Sequence, residues 1–328
     1  MSRAEQFLLG SGYSSAAVQV GLLNNMPDAA LRATELQFAR LLKAASGHLD
    51  VRLRLFSLAS LTRSDDTRTR MAGFYDEAAF LPEAGLDALI VTGFAQDEAD
   101  LRSHPCWQEF TQLVDWAETG TISTLFSGLS APAAVLHLDG IAHRKLDEPL
   151  FGIYAGRRIE DDPLLFNCAA QMPVPHARRH DLPEDALGAA GYRVLTRLEN
   201  GQVDCFVREI AGRSRFVFLQ GHPEYEPGTL ARLHLQEMEQ GQKRGLRARQ
   251  PPAYSPRKRR WWCCRTAVVG NCVPEKACRD PNVRSRRSRR WRRSGARPAA
   301  DSTDQVRPSL RCRYSSHSRW SASRGQRR

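Results

Sequence analysis

Over the first 250 positions the apolar residues fall into short runs that switch between two periods. "AAVQVGLLNNM" (16–26) is a nearly continuous apolar run closed by Asn24 and Asn25, which predicts a buried strand ending in a polar turn. Pro27 and Asp28 then open "DAALRATELQFARLLKAAS", where Leu31, Leu36, Phe38, Leu41 and Leu42 recur at helical spacing. "LDVRLRLFSL" (49–58) alternates with period two and reads as a strand. "LDALIVTG" (86–93) is the apolar run with terminal glycine expected of a central parallel strand, and "WQEFTQLVDWAETG" (107–120) is an amphipathic helix. "TISTLFSG" and "LSAPAAVLHL" repeat the strand–helix alternation across residues 121–138.

The pattern continues less regularly through "PLFGIYAGRRI" and "GYRVLTRLEN". Two further strands flank the turn "AGRS" and end at Gly221-His222-Pro223-Glu224, and a helix, "GTLARLHLQEMEQGQKRG", follows. Strands alternating with helices call for an α/β fold, a doubly wound, mostly parallel sheet covered on both faces. In such sheets ligands sit beyond the carboxyl ends of the strands. The turns at Gly93, Gly128 and Gly221 all lie at such ends, so one cleft is expected to gather them.

Charge divides the chain. Its 328 residues carry a formal net charge of +12, yet residues 251–328 hold 22 Lys/Arg against 4 Asp/Glu, leaving 26 against 32 in the first 250. The body is mildly acidic and the tail strongly basic. "PRKRRWWCCRTAVVGNCVPEKACRDPNVRSRRSRRWRRSGARPAADS" has no apolar period and neither isoleucine nor phenylalanine. Such a stretch buries too little surface to offset its ordering entropy, so disorder is expected. Two origins stay open for it: an arginine-rich, tryptophan-interleaved arm for nucleic acid or anionic lipid, or out-of-frame translation of a GC-rich gene. The division expected is an N-terminal extension (1–14), an α/β domain (15–248) and the basic tail (249–328).

Cys106, Cys168 and Cys205 are scattered through the body, while Cys263, Cys264, Cys272, Cys278 and Cys312 crowd the tail. That is no disulfide framework, so a reducing compartment is expected. The spacing of Cys272 and Cys278, with no histidine nearby, gives no zinc site, and no metal is expected. Neither a secretory leader nor a membrane-spanning run is evident, which points to a cytoplasmic protein without membrane contact.

The strand–turn–helix outline at "TISTLFSGLSAPAAVLHL" is where α/β enzymes hold a nucleophile. Its apex is Gly128, which has no side chain. The blocks "NNMPDAALRATELQFARLL", "LDALIVTG", "DWAETGTISTLFSGLSAPAAVLHLDGI" and "GHPEY" occur in an order that resembles the homoserine O-succinyltransferase and O-acetyltransferase family over roughly residues 15–245. That resemblance implies a class I glutamine amidotransferase-like fold and transfer of an acyl group from succinyl-CoA or acetyl-CoA to L-homoserine, an early step of methionine biosynthesis. No tightly bound cofactor is implied, and dimers are common in the family.

By the same resemblance a cysteine at the elbow takes up the acyl group, a histidine is general base, and a glutamate orients it. His222 and Glu224 match the histidine and the glutamate, whereas the cysteine's position falls on Gly128. Other family positions are also substituted. The substrate lysine falls on Pro149, the serine of "PHSR" on Ala177, with His176 and Arg178 retained as substrate-binding candidates, and a later arginine on Gln236. Ser127 is expected to point away from the cleft, and Ser130 to do no more than bind substrate. An acyltransferase homologue impaired or inactive as written is therefore expected. A relative that only binds a small ligand or a partner, and a nucleic-acid binder acting through the tail, are the alternatives.

Overall fold

The computed structural model describes residues 17–47, 49–94, 100–226 and 228–235. The strands are β1 (Val18–Leu23), β2 (Val51–Ser57), β3 (Tyr75–Glu77), β4 (Ala88–Val91), β5 (Ser123–Ser127), β6 (Arg144–Arg158), β7 (Gln171–Asp181), β8 (Arg193–Leu198), β9 (Val203–Arg208) and β10 (Arg215–Leu219). The α-helices are α1 (Asp28–Ala45), α2 (Asp65–Met71), α3 (Trp107–Gly120), α4 (Ser130–Asp139) and α5 (Glu184–Ala189), and residues 228–235 are also helical.

All ten strands form one sheet in the order β3-β2-β1-β4-β5-β10-β9-β8-β6-β7. From β3 to β10 every pairing is parallel, and from β10 to β7 every pairing is antiparallel. Parallel strands need crossovers, and a sheet with helices on both faces buries both sides of each strand. The two core clusters show this directly. One packs Leu89, Val91, Phe126, Phe206 and Phe218 against Phe110, Leu113 and Val114 of α3 and Ala131, Ala134 and Val135 of α4. The other packs Val20, Leu22, Ile90, Leu125 and Val217 against Phe38, Leu41 and Leu42 of α1. Successive strand residues take opposite faces, so β1, β4 and β10 each contribute to both clusters.

α1, α3 and α4 stand where the periodicity predicts, α1 within a residue of its predicted end, and the helix read over 228–245 is described only through residue 235. The segment 144–181 differs. It is a long antiparallel ribbon of β6 and β7, with an irregularity between Lys145 and Leu150. Pro149 lies in that irregular step, and Pro173 and Pro175 lie in β7. Proline cannot donate to a ladder, which is why the segment lacks a clean strand signature and why it stands at the edge of the sheet. The ribbon reaches the site through His222 N–H, which donates to Pro175 C=O at 2.9 Å. The N-terminal extension, the basic tail and Gln236 lie outside the described residues. Among the described residues no helix is long and apolar enough to cross a membrane.

Candidate active site

The site is built at the carboxyl ends of the adjacent strands β5 and β10, whose register pairs Ser127 with Leu219. After Ser127 the chain turns at Gly128 with φ +65°, a left-handed conformation that glycine adopts without steric cost. The Gly128 N–H donates to Leu219 C=O at 2.8 Å, so the elbow is tied to β10 rather than loosely apposed to it. Ser130 opens α4 with its one hydroxyl proton shared between Val91 C=O at 2.9 Å and Ser127 C=O at 3.0 Å. It is fully buried and locks the elbow to β4.

On the β10 side, Gln220 and Gly221 lead into His222. His222 Nδ1 lies 2.8 Å from Glu224 Oε1, and the imidazole stacks on Tyr225 with ring centroids 4.2 Å apart and planes 4° from parallel. A carboxylate only accepts, so the imidazole donates from Nδ1, and in its neutral form carries its lone pair on Nε2. The ring is set directly against the elbow. A Cβ placed on Gly128 would lie 2.8 Å from His222 Cε1 and 3.5 Å from Nε2. His222 thus stands in space that a side chain at 128 would enter, and the pairing 94 positions apart follows from adjacent parallel strands.

Two more groups border this point. Gly93 approaches the elbow so closely that a Cβ there would lie 2.9 Å from Leu129 N. Leu129 N–H donates to no partner among the described residues, as expected of the first amides of a helix. A side chain at 93 would press on that amide, which stands next to the positive end of α4. Ser127 Oγ lies 3.5 Å from Glu224 Oε2. Ser127 is buried, with its hydroxyl turned toward Glu224.

The remaining predicted residues spread along the ribbon. Ala177 pairs with Phe151 and is half-buried, as is Pro149. Arg178 is largely buried and donates to Asp181 Oδ1 at 2.9 Å, Gln220 Oε1 at 2.5 Å and Val203 C=O at 3.0 Å. Its guanidinium fastens β7 to the ends of β9 and β10. His176, retained by the resemblance as a substrate-binding candidate, is wholly enclosed. Its Nε2 lies 3.2 Å from Asp204 Oδ1, close enough for an ion pair but without the alignment of a hydrogen bond. Burial holds the imidazole below its ordinary pKa, against the opposing pull of Asp204. Asp204 accepts a firm hydrogen bond from Thr196 Oγ1 at 2.7 Å.

This second His–Asp pair backs the loop that carries His222. Nothing in the sequence pattern marked it, because Asp204 lies 28 positions away on a different strand. Among the described residues no thiol stands in for the missing one: Cys106, Cys168 and Cys205 are all buried. Burial pushes the Cys106 thiol up to about 11, although His104 Nδ1 is 2.9 Å away. No group of His, Cys, Asp and Glu residues suited to a metal occurs among the described residues.

A doubly wound sheet with a strand–helix elbow and a His–Glu pair at its side defines a glutamine amidotransferase-like α/β protein. A solved glutamine amidotransferase from Thermotoga maritima shares the fold, at TM-score 0.50 over 79% of this chain and 99% of its own, with 13% sequence identity. The profile of the homoserine O-succinyltransferase family matches residues 12–297. Relatives named homoserine O-succinyltransferase are 50% identical over 225 residues in Rhodopseudomonas palustris (69% of this chain, 67% of the relative) and 51% identical over 215 residues in Methylorubrum extorquens (66% and 63%). A third, from Bradyrhizobium japonicum, is 42% identical over 220 residues (67% of each). The chain belongs to the homoserine O-succinyltransferase family. It spans about two thirds of the length of the curated relatives it matches.

Proposed function

We propose that this chain is a homoserine O-acyltransferase homologue of methionine biosynthesis whose cleft takes an acyl-CoA and L-homoserine, with turnover weakened by glycine at the elbow. The observation that carries the reading is the His222–Glu224 pair set against Gly128, in a chain 50% identical over 225 residues to a protein named homoserine O-succinyltransferase. Succinyl-CoA is the donor to test first, because the relatives are named for it, with acetyl-CoA as the alternative.

His222 is the general base and Glu224 holds its ring and tautomer. In the family resemblance the base serves a thiol first and the homoserine hydroxyl second, and only the second task remains here. Pro149 and Ala177 stand where the resemblance has a lysine and a serine, so the amino-acid substrate loses an ammonium and a hydroxyl contact. Loss of such positioning lowers the rate further.

The test is direct. The full chain is incubated with succinyl-CoA or acetyl-CoA, with and without L-homoserine, and O-acylhomoserine and free CoA are both measured. The expected result is a rise in thermal midpoint with acyl-CoA and little O-acylhomoserine. No thermal response to either donor overturns the reading. Rapid O-acylhomoserine formation overturns the loss of turnover.

A further inference from the structure

We propose that His222 is itself the acyl acceptor in this chain, so that the elbow site hydrolyses acyl thioesters slowly through an N-acylimidazole. The proposal rests on the reading that acyl-CoA enters this cleft, and goes beyond it in naming a nucleophile and a second activity.

Three observations converge. Without a side chain at 128, His222 stands at the elbow, its Nε2 3.5 Å from the point where a side chain there would begin. Glu224 occupies Nδ1 at 2.8 Å, which leaves Nε2 as the nitrogen with the lone pair. Leu129 N–H, on the same elbow beside Gly93, has no acceptor among the described residues and can serve as the oxyanion donor. Nucleophile, orienting carboxylate and oxyanion donor are therefore all present. Histidine forms covalent intermediates in acyl transfer when its free nitrogen is aimed at the reacting carbon.

The step runs as follows. The Nε2 lone pair attacks the thioester carbonyl carbon, and the oxyanion takes a hydrogen bond from Leu129 N–H. The C–S bond breaks, CoA leaves as thiolate and is protonated by solvent. The acylated ring bears a positive charge, offset by Glu224 beside Nδ1. Water then attacks the acyl carbon, the C–N bond breaks, and the free carboxylic acid and neutral imidazole are released, with one proton passing to solvent in place of the one taken up by the CoA thiolate. One acyl-CoA and one water yield one acid and one CoA, with no redox change. Water is the expected acceptor because the ribbon offers Pro149 and Ala177 where homoserine would be held.

The experiment uses the full chain with acetyl-CoA and, separately, succinyl-CoA, and no homoserine. Saturable release of CoA, measured with a thiol reagent, is expected. Acid quench and peptide mass analysis should place one acyl group on the peptide bearing residue 222, and hydroxylamine should convert it to the acyl hydroxamate. His222→Ala should lower CoA release by on the order of 10²-fold, and free imidazole should restore part of it. Cys106→Ser should change nothing.

A thermal shift with CoA retained in His222→Ala shows that the variant folds and binds, with His222→Gln as the second variant should it not. CoA release unaffected by loss of His222, or an acyl group on a cysteine instead, overturns the proposal. Binding of acyl-CoA without cleavage overturns it while the acyltransferase reading stands, as does O-acylhomoserine formation with no trapped adduct. Absence of binding overturns both.

Discussion

Position 128 has a left-handed backbone, φ +65°, which costs an ordinary L-residue about 1–2 kcal/mol and glycine nothing. A nucleophile at an elbow accepts that strain because the sharp turn aims its side chain into the cleft. Here the strain is absent and so is the side chain. Restoring one has two physical consequences. The backbone penalty returns, and the His222 ring, whose Cε1 would lie 2.8 Å from the new Cβ, must shift by a few tenths of an ångström against its stacking on Tyr225. Gly128→Cys is therefore expected to lower stability by about 1–2 kcal/mol, read from the denaturation midpoint. Incubated with acyl-CoA, the variant should carry the acyl group at position 128 instead of on His222. O-acylhomoserine should recover only in part, since Pro149 and Ala177 remain. Full recovery would show that those two positions do not limit turnover.

At the scale of elements, the ribbon of β6 and β7 is what holds His222 in place. Pro175 accepts from the His222 backbone, Arg178 grips Gln220, and the His176–Asp204 pair lies beneath Gly221. A Cβ on Gly221 would collide with Val174 Cγ1 and come within 2.9 Å of Asp204 Oδ1 and 3.0 Å of His176 Nε2. Gly221→Ala should cost about 1–3 kcal/mol through overpacking and displace His222. The expected signature is a lower thermal midpoint together with loss of the CoA release ascribed to His222. A variant of unchanged stability would show that the ribbon yields freely there.

The ribbon also makes the fold sensitive to acid. His180 packs edge-on against His143, with ring centroids 4.3 Å apart. Burial, followed by the charges of His143, Lys145, Arg179 and Arg178, lowers His180 to about 4. A folded pKa below the unfolded value near 6.5 means that the unfolded chain binds more protons between the two. The stability that a neutral His180 contributes is then fully present above pH 6.5 and is lost as pH falls from about 6.5 to 4. His176, held low by burial, acts in the same direction. Midpoint against pH should fall across that window, and His180→Asn should flatten part of the fall. An equal slope in the variant would assign the acid sensitivity elsewhere.

Over the whole molecule, the composition changes near residue 250, while the family profile matches through residue 297. We propose that residues 15–248 form the folded unit and that the basic segment adds charge to it. Limited proteolysis should leave a stable product of about that length, and protection running through the arginine-rich region would argue against the division. If the segment binds nucleic acid, affinity of the full chain should fall steeply with salt and vanish on truncation near residue 250. A salt-independent or truncation-resistant interaction would place the binding on the acidic body instead.

The sequence by itself determined the alternation of strands and helices, the two-sided sheet and the position of the elbow. These are written in local periodicity and in glycine punctuation, which survive without knowledge of any partner. The family resemblance of its motifs also pointed to His222 and Glu224, and the turn after β10 brings the two within hydrogen-bond distance. Tertiary structure alone decided how close His222 comes to Gly128, since that distance depends on β10 pairing beside β5 and on Gly128 N–H reaching Leu219. It alone enclosed His176 with Asp204 and tied Arg178 to Gln220, although the sequence places His176 and Arg178 among residues of a substrate site. The reason is physical: burial and long-range pairing follow from strand order, and the order β5-β10-β9-β8-β6-β7 joins residues that no local pattern connects.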